Sequence, residues 1–342
     1  RNDVNLDKLV ELATCCGVDL SQVTVPHSDP TVTTVAQPPS KKRVESSLLI
    51  KIEGGSTPLS YRIKVWLVSD SQVYQDRMRG LSDSVSQPIS EESAATPLVN
   101  GQEIQVQSEQ TQAEEIKRFL GELFKSIWTK QGLRRLNPHV TFFVPDQLLA
   151  IDFHNIQWGV RGDILGRKVP VSVSCLGRFD ESEGVNEVIN EYREYWIERW
   201  QMLEDYGDRP LSEHIEHLEC DEDNPDVDIT CPQSFQCWLE EKDDEREWQV
   251  SGLGLYSPHG DLAKAFISFL LGGVPFIFWP SRVLDPGEVS ELEQRMGVVP
   301  AEFLREFKSC RLRLGSRTKD AGPMSILLDN PYLCPPDCEF DY

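Results

Sequence analysis

Val169-Pro-Val-Ser-Val-Ser-Cys175, followed one helix later by Tyr195-Trp-Ile-Glu-Arg-Trp200, is the stretch that settles the class of fold. The first segment alternates β-branched and small residues, the pattern of a buried strand. The second sets two tryptophans four residues apart, so that they share one face of a helix. A strand feeding a helix in mid-chain is the unit of an α/β core, and the pattern repeats on either side. Strands are expected at 47–53, 60–68, 140–144, 249–256, 274–279 and 324–328. Helices are expected from Thr111 through Trp128, from about Val185 to Leu203, at 261–271, and near 287–296 and 300–309. The fold class is therefore α/β: a mixed, largely parallel sheet with helices on both faces, preceded by an N-terminal β-hairpin and a short leading helix. Trp66, Trp196, Trp200 and Trp279 are the expected core anchors.

The flanks read differently. Asn5 to Ala13 has apolar residues at helical spacing, and residues 1–20 form a short helical segment, the expected tail of an upstream domain. Residues 21–45 hold prolines, repeated Thr and Val, and Lys41-Lys42-Arg43, which is the composition of a linker. The main domain then covers 46–338, interrupted by a long Ser-, Asp- and Gln-rich loop at 69–97 and an acidic insert at 205–247. The chain opens on Arg1 and not on Met, which reads either as a fragment of a longer protein or as a chain whose start is missing. An upstream domain could hold an activity that these residues do not show.

Hydrophobic residues make up 39% of the 342, enough for a sizeable core. Acidic residues number 56 against 34 basic ones, a net charge of −22, which repels phosphate backbones and excludes a general nucleic-acid binder. The nine cysteines are scattered and follow no secretory signal, so reduced thiols in a cytoplasm are expected. The most apolar window, Ala263 to Trp279, is broken by Lys264, Gly272-Gly273 and Pro275 and is not a membrane span.

Candidate chemistry is sparse. No phosphate-binding glycine loop is present, and Gly252-Leu-Gly254 reads as a strand needing close backbone contacts. No Gly-x-Ser-x-Gly elbow occurs. His139, at a strand start, and His154, in Asp152-Phe-His154, are candidate general bases, and Cys175 is a candidate thiol nucleophile. None of them shows a partner at a telling spacing, and a thiol at the end of an apolar strand is ordinarily an inert core residue. No cofactor is expected. Zinc is the alternative, on His214, His217 and Cys220, which recur at steps of three and would meet if the segment were helical. Cys334 and Cys338 read as incidental thiols. Asp221, Glu222, Asp223, Glu240, Glu241, Asp243 and Asp244 are candidate docking residues for a basic partner.

The ordered motifs Leu48-Leu-Ile-Lys-Ile-Glu53, Tyr61-Arg-Ile-Lys-Val-Trp-Leu67, Val140-Thr-Phe-Phe-Val-Pro145, Val169–Cys175 and Trp196-x-x-x-Trp200 continue in Gly252-Leu-Gly-Leu255, Gly273-Val-Pro-Phe-Ile-Phe-Trp279 and Ile326-Leu-Leu-Asp-Asn-Pro331. In that order they resemble the C-terminal domain of the vWA–MoxR-associated proteins of bacteria. The resemblance implies a component of NTP-dependent conflict (defence) systems. Its implied partners are a MoxR-type AAA+ ATPase, a vWA-domain protein, and a trypsin-like or caspase-like peptidase. It brings no catalytic residues to carry over. The reading that follows is a non-catalytic adaptor linking an NTPase-based sensor to an effector. The alternatives are a hydrolase or metal-dependent enzyme built on the histidines above, and a substrate cut by a partner protease.

Overall fold

The computed structural model describes residues 45–79, 95–130, 133–159, 162–179, 193–205, 209–218, 227–244, 250–255, 262–298, 300–314 and 322–338. The expected leading helix, nearly all of the linker, the middle of the 69–97 loop, and Cys220 with Asp221, Glu222 and Asp223 lie outside them.

Nine strands form one sheet. In chain order they are β1 (Ser47–Gly54), β2 (Ser60–Val68), β3 (Thr96–Gln105), β4 (His139–Val144), β7 (Val171–Cys175), β8 (Ile215–Leu218), β9 (Gly252–Leu255), β10 (Phe276–Pro280) and β11 (Met324–Leu328). Two short strands, β5 (Gln157–Trp158) and β6 (Asp163–Ile164), pair with each other apart from it. The spatial order of the main sheet is β3-β2-β1-β4-β7-β11-β10-β9-β8. β1, β4, β7 and β11 run parallel, and β10, β9 and β8 run parallel to one another but against β11. The sheet thus winds in from both sides and meets at the β7–β11 seam.

The helices are α1 (Ser71–Met78), α2 (Gln112–Lys130), α3 (Arg193–Asp205), α4 (Pro232–Asp244), α5 (Leu262–Leu271), α6 (Pro286–Met296) and α7 (Pro300–Leu314), with single helical turns at Leu133–Leu136 and Leu165–Lys168. Strand alternation sorts the core into two layers. Phe142, Ile277 and Trp279 pack with Phe124 of α2, Phe235 of α4 and Phe266 of α5 on one face. Phe276 and Phe278 pack with Trp200 of α3, Met296 of α6, and Phe303 and Phe307 of α7 on the other. Leu49, Trp66 and Phe143 extend that second layer under Tyr74 of α1 and Trp196 of α3. Helices cover both faces, as the alternation of strands and helices requires.

Local chemistry sets several boundaries. Asp285 and Glu288 close a reciprocal capping box at the start of α6, with Pro286 in its first turn. Gly252 and Gly254 leave room for neighbours: a Cβ on the first would run into the Phe276 ring, and one on the second into the ring of Phe278. That is the close approach the sequence called for.

Two expectations are corrected, and the expected N-terminal hairpin is present and extended by a third strand. The 69–97 segment is not one loop: Asp70 caps α1 through the backbone N–H groups of Gln72 and Val73, and Thr96 already begins β3. β3 makes the N-terminal hairpin a three-strand antiparallel meander. The acidic insert is likewise built into the fold, since it supplies edge strand β8 and helix α4. Among the described residues, no helix is long and apolar enough to cross a membrane.

Candidate functional site

In sheets of this kind ligands bind outside the carboxyl ends of strands where the strand order reverses. Here that point is the β7–β11 seam, and its carboxyl end is filled by protein. Asp329, just past β11, accepts from Ser174 Oγ at 2.5 Å and from the Cys175 backbone N–H at 2.8 Å. Arg178 Nη1 lies 2.8 Å from Asp329 Oδ2. The Arg178 Nη2 group donates to the carbonyls of Val274 at 3.1 Å and Leu270 at 3.2 Å, tying the end of α5 to the same point. Trp196 Nε1 donates to the Asp329 carbonyl at 2.8 Å, and the guanidinium lies 5.1 Å from the Trp196 ring centroid. The arrangement is a rivet with no room for substrate. Cys175 belongs to it: burial, then the Asp329 charge, pushes its thiol up to about 12, so the nucleophilic thiolate does not form near neutrality.

The amino end of the same seam holds both candidate histidines. His154 is buried, with Nε2 3.0 Å from the Gly322 carbonyl and Nδ1 2.9 Å from Asp152 Oδ1. Nε2 also lies 3.3 Å from the Asn155 amide nitrogen, so each ring nitrogen is engaged by groups of the protein itself. Ser325 Oγ lies 3.3 Å from Nδ1, the nitrogen already facing the carboxylate. A Ser-His-Asp triad needs serine and carboxylate on opposite nitrogens, so these three residues are not one. Burial raises the Asp152 carboxyl, but the His154 charge and the hydrogen bonds from His154 and Asn155 bring it below its usual range.

His139 opens β4, and its Nε2 lies 2.9 Å from Ser172 Oγ, which also reaches Thr141 Oγ1 at 3.3 Å. Burial, and after it the positive charge of Arg311, lowers the ring to about 4. His139 is therefore neutral at pH 7. Ser172, however, is sealed within the sheet, where a substrate carbonyl cannot meet it.

The zinc candidates do not share a helix. Ile215–Leu218 is strand β8, which pairs with β9, and His214 immediately precedes it. With a two-residue period, His214 and His217 fall on opposite faces; His217 turns towards the Phe278 ring, 6.3 Å between centroids. The step-of-three argument for a shared ion therefore fails, and no cluster of three metal-ligating side chains occurs among the described residues.

Of the acidic candidates, Glu240, Glu241 and Asp244 are exposed on α4. Asp243 is spent internally: it pairs with buried Arg199 at 2.6 Å and accepts from the Val250 backbone N–H at 2.6 Å.

Residues 60–331 match the family described as vWA-MoxR associated protein C-terminal domain. The chain belongs to that family. A comparison with curated proteins returned no match. The matched span runs from the start of β2 past Asp329, so the Arg178–Asp329 rivet falls within the vWA-MoxR associated C-terminal domain. Sequence reasoning missed this pair. Arg178 and Asp329 stand 151 positions apart by number, and neither has a neighbour that marks it as buried. The one available signal was position, because Asp329 directly follows β11 and Arg178 comes three residues after the end of β7.

Proposed function

We propose that the chain is a non-catalytic coupling module of a bacterial vWA–MoxR conflict system, transmitting the state of an NTPase-based sensor to an effector such as a peptidase. The family match over residues 60–331 carries this reading. The engagement of His139, His154 and Cys175 in the internal contacts above supports it. An interaction module needs a surface to present, and the exposed carboxylates of Glu240, Glu241 and Asp244 offer an acidic one on α4. Glu198, Gln201, Met202 and Asp205 of α3 line an open cleft of about 240 Å³ with the same sign of charge. The partner face that suits them is basic, drawn in by long-range attraction to a chain of charge −22.

Co-purification of the chain with vWA-domain and MoxR-type ATPase proteins encoded beside it tests the reading. A complex that weakens as salt rises, and weakens further when Glu240, Glu241 and Asp244 become Gln, Gln and Asn, is the expected result. Absence of any complex with either protein, in the presence or absence of nucleotide, overturns it.

A further inference from the structure

Arg311 lies on the inward side of α7 and is 1% exposed. Its guanidinium carbon is 5.3 Å from the centroid of the Phe307 ring, yet among the described residues no carboxylate comes within ion-pair distance, and Nε is sealed without a hydrogen-bond partner. A buried charge left this way is among the least favourable arrangements a protein can hold. The surroundings add positive charge. Lys308, one turn earlier, donates to the Lys168 carbonyl at 2.6 Å, and its ammonium is depressed by burial and then by the charges of Arg311 and Lys168. Lys168 has Asp163 at 3.2 Å as its own partner. Asp152, whose charge also reaches Arg311, is held by His154 and Asn155. His139, at the amino end of β4, also feels the Arg311 charge, and its Nε2 is engaged by Ser172 Oγ at 2.9 Å. The protein carries 22 more negative than positive charges, yet it gathers Arg311 and Lys308 here with no free carboxylate among the described residues.

We propose that Arg311 and Lys308, beside His139, form a binding site for a small oxyanion of the phosphate class. The planar guanidinium offers parallel N–H donors matched to two oxygens, and Lys308 offers the second positive charge. Free inorganic phosphate and the terminal phosphoryl group of a nucleoside diphosphate present the same chemistry.

Isothermal titration of the whole chain with inorganic phosphate, and separately with ADP, at fixed ionic strength tests the site. One saturable site per chain is expected for at least one of them. Saturation by phosphate alone identifies the free ion, and saturation by ADP alone identifies a phosphoryl group carried on a larger ligand. Arg311→Lys keeps the charge but loses the fork and is expected to weaken binding about tenfold. Arg311→Met is expected to abolish binding while circular dichroism stays native. Arg313→Met, an exposed arginine of the same helix paired with Glu291, leaves binding unchanged. The proposal is overturned if neither titrant saturates, or if Arg311→Lys and Lys308→Met, both folded, bind as the parent does.

Discussion

Arg178 and Arg311 are both sealed inside the protein, near opposite ends of strand β7, and they are treated in opposite ways. Arg178 meets a carboxylate and several backbone carbonyls, so its desolvation is offset by bonds on each side of the guanidinium. Arg311 meets an aromatic ring and other cations, and burial lowers it to about 10. Burial of a charge therefore does not by itself mark a structural role: a satisfied charge holds elements together, whereas an unsatisfied one waits for something or is a standing cost.

The contrast is tested most severely at Asp329. Asp329→Ala strands Arg178 in the core, and urea unfolding should show a loss of about 3–5 kcal/mol. Replacing both partners by apolar residues of similar volume, as in Arg178→Met with Asp329→Leu, should recover much of that loss. If the single and double variants are equally unstable, the bonds to backbone carbonyls matter more than the ion pair.

The next largest effect is a pH dependence beside Arg311. The folded His139 ring titrates at about 4, below its ordinary 6.5. As pH falls from 6.5 towards 4, the unfolded chain takes up this proton first, so stability declines across that window and is untouched above it. A proton affinity weakened that far corresponds to about 3 kcal/mol at most. Chemical denaturation at a series of pH values should show the slope, and His139→Gln should flatten it.

Arg311→Met should act in the opposite direction to Asp329→Ala. In phosphate-free buffer it removes an unpaired buried charge and should stabilise the fold by about 1 kcal/mol. A loss of several kcal/mol would instead place Arg311 with Arg178 as a structural residue.

The smallest effect is expected at the surface. Asp337 pairs with Lys64 at 2.5 Å and with buried Lys51 at 3.4 Å, but both lysines keep Glu53 as a second partner at 3.0 Å. Asp337→Asn should cost less than about 1 kcal/mol and should matter less as salt increases.

What the sequence disclosed follows the same division. Strands such as Ser60–Val68 and Met324–Leu328 were legible because one face must be apolar and the period is short. β3, Thr-Pro-Leu-Val-Asn-Gly-Gln-Glu-Ile-Gln, was not: an edge strand exposed along most of its length has little reason to alternate. Helix α1 is short and mostly polar, and it is stabilised by the Asp70 cap and the single deep anchor of Tyr74, signals too local for periodicity to show. β8 was hidden because His214, Glu216 and His217 look like a solvated helix until β9 is set beside them. The polar interior was the least visible. Whether Arg178 is paired depends on Asp329, and whether Arg311 is unpaired depends on where Asp152 turns; neither depends on neighbours along the chain.

The strand order has one further consequence. β11 lies between β7 and β10 and is the last strand of the sheet to be synthesised, so until residues 324–328 emerge no strand pairing joins the two halves of the sheet. During that interval β7 and β10 each present an open edge of apolar backbone, a state prone to mispairing with other chains. Closing the seam brings together residues far apart in sequence, which slows the step. A nascent or truncated chain lacking β11 should therefore depend strongly on chaperones until the seam is complete.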